Sequence, residues 1–90
     1  MIFYTTEQAK GALPNWTRVR KINSKEDDTH KDGALATIIG SSGPLDVAAL
    51  ASPLPPEAAG KPLYVYWVIW DDVPGLPVGI AGFRVEAVDG

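Results

Sequence analysis

Eight consecutive residues, Leu63-Tyr64-Val65-Tyr66-Trp67-Val68-Ile69-Trp70, are β-branched, aromatic or Leu, and the run stops at Asp71-Asp72 and a Pro74-Gly75 turn. Such side chains fit a pleated, packed surface. The run is well short of the ~20 apolar residues that a membrane-spanning helix needs, and its strand bias speaks against a buried helix. It is therefore predicted to be the central strand of a small β-structure. Successive side chains of a strand point to opposite faces, so both faces of this one are apolar. One face fills a core; the other requires a cover, a partner or a ligand. If Tyr66, Val68 and Trp70 point inward, then Val65, Trp67 and Ile69 point outward; a one-residue slip would reverse this.

The chain has 90 residues and 46% hydrophobic residues, which suits one globular domain spanning 1–90 rather than a disordered segment. It contains no Cys, which removes disulfides, thiol nucleophiles and Cys-based metal sites together. Met1-Ile2-Phe3-Tyr4 is followed at once by Thr5-Thr6-Glu7-Gln8, without the pattern of a secretory leader, so the protein is read as cytoplasmic, with no membrane partner. The net charge of −3 argues against nucleic-acid binding driven by bulk charge. Residues 1–33 nevertheless carry six of the eight Lys and Arg, which leaves room for a local basic patch.

Thr5 or Thr6 is expected to cap a short helical turn through Ala12, limited by Gly11 and Pro14. Trp16 to Ile22 reads as a first strand, with Arg18, Arg20 and Ile22 on one face and Thr17, Val19 and Lys21 on the other. Asn23 to Gly33 is a polar loop, and Leu35 to Ile39 a second strand ended by Gly40-Ser41-Ser42-Gly43-Pro44. Residues 44–62 form a Pro-rich insertion: Asp46 can cap a Val47–Ala51 turn, after which Pro53, Pro55, Pro56 and Pro62 exclude regular structure. The third strand is Leu63–Trp70. Pro74-Gly75 suits the centre of a type II turn; Val78–Ile80 and Arg84–Val88 complete the set, with Gly79 and Gly82 marking a bulge or corner. Five short strands punctuated by Gly and Pro predict an all-β, partly open small barrel with a long Pro-rich loop and at most short helical turns.

Gly33…Thr37-Ile38, then Tyr66-x-Val68-x-Trp70-Asp71-Asp72-x-Pro74-Gly75, then Val78-Gly79-Ile80 with Arg84-Val85, resembles small bacterial SH3-like barrel proteins that read G-x-x-x-T-V … Y-x-V-x-W-D-D-x-P-G-x-P. The likeness covers residues 16–88, and a remote one extends to the barrel of the nitrile hydratase β subunit. It implies an SH3-like barrel. Related barrels serve as peptide-binding modules, nucleic-acid readers and subunit domains, and the resemblance assigns no catalytic residue.

An outward Val65-Trp67-Ile69 stripe would be an apolar patch of the kind that marks interfaces, and Trp is favoured at binding hot spots. Together with Pro74 and Leu76 of the following turn, these residues form the expected partner-binding surface, for another protein or a second copy, unless the insertion or the N-terminal segment covers the stripe. Trp16, Arg18 and Arg20 are the alternative, since nucleic-acid-binding barrels combine cations with a stacking aromatic. Pro53-Leu54-Pro55-Pro56 has P-x-x-P spacing but is followed by Glu57, and reads as a stiff loop. Asp28-x-His30-x-Asp32-Gly33 imitates the opening of a calcium loop, yet Ile39 stands where the closing Glu belongs, and the loop reads as solvated. Asp71-Asp72 reads as a strand terminator, because adjacent carboxylates point apart. With no nucleophile–base set and no phosphate loop, the expectation is a non-catalytic module without metal or cofactor.

Overall fold

The computed structural model describes residues 4–45, 56 and 62–88. The described chain is all-β, with five strands: β1 (Arg18–Lys21), β2 (Leu35–Leu45), β3 (Leu63–Trp70), β4 (Pro77–Ala81) and β5 (Val85–Ala87). They form one open antiparallel sheet in the order β4-β3-β2-β1-β5. A 3-10 turn, Gly82–Arg84, links the last two strands, and there is no α-helix among the described residues. The core is one face of this sheet curled on itself: Val19, Ala36, Ile38, Tyr66, Val68, Trp70 and Val85 form one buried cluster, against which Ile80 of β4 packs. Burial of side chains this size contributes about 1.5–3 kcal/mol each.

The inward register of β3 is as its alternation suggests, with Tyr66, Val68 and Trp70 buried and Val65, Trp67 and Ile69 half-buried on the other face. Elsewhere the elements depart from expectation. β2 does not stop at Ile39; it continues through Gly40–Leu45, pairing Gly40 with Trp67 and Ser42 with Val65. Gly and Ser are poor strand formers, but the backbone groups of a long β3 need partners, and this need overrides propensity. The irregularity expected at Gly79 sits instead on β2, with register shifts between Ile38 and Gly40 and between Ser42 and Leu45.

No helical turn forms over Thr5–Ala12. Thr5 Oγ1 instead accepts the Glu7 N–H at 3.1 Å, and the segment passes beside β2, where Ser41 N–H donates to Glu7 O at 2.8 Å and Ala9 N–H to Ser41 Oγ at 2.8 Å. Most of the Pro-rich insertion, including Val47–Ala51 and the Pro53–Pro55 part of the P-x-x-P spacing, lies outside the described residues. Gly75, at φ 87, occupies the left-handed conformation that the second central residue of a type II turn requires.

Candidate interaction surfaces

Three regions of this fold hold side chains able to recognise something. The first is the sheet face turned away from the core. Register places three cross-strand rows there: Thr37–Ile69–Pro77, Gly40–Trp67–Gly79 and Ser42–Val65–Ala81. None of these residues is charged, whereas the outer face of an antiparallel sheet is ordinarily polar. Trp67 lies at the centre between two glycines, and its ring rests on Gly79: a Cβ there would lie 2.7 Å from Trp67 Cζ3. The indole N–H is buried without a hydrogen-bond partner among the described residues.

On the β2 side the face is covered by the N-terminal segment, since a Cβ on Gly40 would lie 1.8 Å from Thr5 O. On the β4 side it is open: Gly79 is exposed, and so are Pro74 and Leu76 in the turn beyond Ile69. Structure thus brings Val65, Trp67 and Ile69 together on one face, with Pro74 and Leu76 at its edge. Arg18 and Asp71 border it, paired through two hydrogen bonds of 2.7 and 2.6 Å.

Trp16, Arg18 and Arg20 do not make a free basic surface. Arg18 is held by Asp71, and Arg20 Nε donates to Glu86 Oε1 at 2.5 Å. Trp16 is 75% exposed.

The second region is a cleft of about 330 Å³ at one end of the curled sheet, with Leu13, Ile22, Asn23, Tyr64, Tyr66 and Phe83 among its walls. Its tyrosines are fixed by their hydroxyls: Tyr64 donates to Lys10 O at 3.0 Å, and Tyr66 accepts the Leu13 N–H at 3.0 Å. The opposite end is closed. There His30 stacks on Trp70, ring centroids 4.2 Å apart and 9° from parallel, and its Nε2 meets Asp72 Oδ1 at 2.9 Å. The two Asp side chains after β3 therefore serve separate partners.

The third region is the polar loop. Its composition predicts a solvated loop, yet part of it closes over the core. Lys21 shares the inward face with Val19 and is only 4% exposed; its ammonium donates to Ser24 Oγ at 2.8 Å and to Asp28 Oδ2 at 3.0 Å. The sequence signals Lys21's side of the strand but not its burial, which depends on the loop folding back. No group of three or more metal-ligating side chains forms among the described residues.

The Lys25 backbone N–H and the Lys21 ammonium hold the Asp28 carboxyl down at about 2, and hydrogen bonds from Ser24 lower Asp32 in the same direction. A carboxyl depressed in the folded state stabilises the fold above its ordinary value of about 3.9. That contribution is lost as pH falls towards the folded value, because the unfolded chain then binds more protons. Thermal melts of the wild type should therefore lose stability between about pH 4 and pH 2, and Asp28→Asn should flatten that slope while lowering stability at pH 7. An unchanged acid slope in the variant would remove Asp28 from the account.

Comparison with known proteins finds no matching family model, no matching curated protein and no matching solved structure.

Proposed function

We propose that this chain is a non-catalytic interaction module, a barrel of the SH3-like kind, that docks a partner protein on the outer face of β3 and β4 around Trp67. The observation that carries this reading is the absence of any charge across the three outer rows. A charge-free centre bordered by an ion pair has the anatomy of an interface, an apolar core within a polar rim. The resemblance of the Tyr66–Gly75 frame to SH3-like barrels, among which interaction modules occur, supports the same reading. In this role Trp67, Val65 and Ile69 supply the apolar contact, and Pro74 and Leu76 the edge.

A nucleic-acid partner is the second reading, favoured by the exposure of Trp16; the pairing of Arg18 and Arg20 with carboxylates counts against it. A pull-down from lysate of the source organism, with and without nuclease, tests both. The expected result is a protein partner that survives nuclease and is lost with Leu76→Asp, an exposed position whose change leaves the melt intact. Trp67→Ala should weaken the same capture. Loss of all partners on nuclease treatment, or capture indifferent to both substitutions, would overturn the reading.

A further inference from the structure

Two features outside the Trp67 face fit one another. Trp16 is the most exposed of the large apolar side chains described, at 75%, and it is held at φ 75, a conformation that bulky residues seldom adopt. Its backbone N–H is tied to Ile38 O at 2.6 Å, so the fold fixes the strained residue in place with its ring in solvent. The second feature is the cleft of about 330 Å³, whose walls include Tyr64, Tyr66 and Phe83 and, among the described residues, carry no charge. That volume lies at the bottom of the range of small-ligand pockets, about 300–1,000 Å³. It suits one ring system better than an extended ligand.

We propose that Trp16 inserts into the aromatic cleft of a second copy of this chain, each copy giving its ring to the other across a two-fold axis. A closed two-fold contact needs knob and hole on one surface patch, so that each faces its complement. Leu13 lines the cleft and stands three residues before Trp16, a span of at most about 11 Å. The ring meets aromatic walls, which offer offset or edge-to-face contacts. Asn23, which lines the cleft, donates through Nδ2 to Phe83 O at 2.7 Å, and its amide oxygen is an acceptor of the kind an indole N–H needs. Recognition of this kind involves neither Trp67 nor Leu76, so it goes beyond the partner face. Two inserted rings make a small contact, and interfaces under about 1,200 Å² are typically transient; the dimer is therefore concentration-dependent.

Sedimentation of the full chain from about 1 µM to 1 mM, a range that spans weak association, should show a monomer–dimer equilibrium. Trp16→Ala should remain monomeric throughout with an unchanged melt, while Leu76→Asp should dimerise like the wild type. Added to monomeric Trp16→Ala, N-acetyl-tryptophanamide should shift the Tyr64, Tyr66 and Phe83 ring resonances. A wild type monomeric at every concentration, a Trp16→Ala variant that still dimerises, or unmoved cleft resonances would each overturn the proposal. Failure of the Leu76→Asp pull-down would bear on the partner face alone.

Discussion

Replacing Trp70 with alanine is expected to remove about 3–5 kcal/mol of folding stability, the range for deleting a large buried aromatic. Trp70 is 3% exposed and belongs to the central cluster with Ala36, its cross-strand partner, and Val68. The ring is also the surface on which His30 stacks, so its loss opens the closed end of the sheet as well as leaving a void. Domains are stable by only about 5–15 kcal/mol in total. For a domain of this size each kcal/mol moves Tm by roughly 4–8 °C, so Tm should fall by at least about 12 °C. His30→Ala removes the stacking partner but leaves the core filled; it should cost about 1 kcal/mol. Urea titrations of the three proteins give the comparison directly. A Trp70→Ala variant within 1 kcal/mol of the wild type would mean that Trp70 is not core.

Gly40→Val is expected to dislodge the N-terminal segment from β2. Any Cβ at position 40 would sit 1.8 Å from Thr5 O and 2.7 Å from Thr5 C. Both are backbone atoms, so no change of rotamer relieves the overlap. The segment must move, and with it go the Ser41–Glu7 and Ala9–Ser41 hydrogen bonds. Overpacking of this kind costs about 1–3 kcal/mol, and each lost hydrogen bond about 1 kcal/mol more. Ser41→Ala, which removes only the acceptor of the Ala9 N–H, should cost about 1 kcal/mol. Hydrogen exchange at the Ser41 amide separates the two. It should quicken greatly in Gly40→Val, and unchanged protection there would show that the segment does not depend on the bare backbone of Gly40.

The legible parts of the fold are those that local chemistry dictates. Leu63–Trp70 has the composition and length of a central strand, and its alternation assigns Tyr66, Val68 and Trp70 to one face. Val19 and Lys21 share a side of β1 by the same rule, and Pro74-Gly75 encodes its own turn. The extension of β2 through Gly40-Ser41-Ser42 was not legible, since nothing in that run favours a strand except the partners that β3 and the N-terminal segment bring to it. The same holds for the N-terminal segment, whose Thr5 offers a cap to a helix but here serves a local turn.

The surfaces divide in the same way. Alternation alone foretold a second apolar face bearing Val65, Trp67 and Ile69. That Gly40 and Gly79 flank Trp67, with Gly79 leaving room for its ring, is a matter of register that no single residue announces. Arg18 and Arg20 look like a basic patch in one dimension; in three, Asp71 and Glu86 neutralise them from positions far along the chain. His30 lies forty residues before the ring it covers, and the cleft draws its walls from residues 13 to 85.

By itself, then, the sequence determined the strand set, the inward side of β3 and the uncharged character of its outer face. These follow from side-chain alternation and from turn residues that act within a few positions of themselves. Only the tertiary structure decided which cations are neutralised, that Lys21 is buried against Asp28, that one end of the sheet is closed by His30 while the other opens as a cleft, and how Trp67 lies. Each of these depends on pairing between groups distant in the chain, and burial and charge neutralisation belong to such pairs rather than to any single residue.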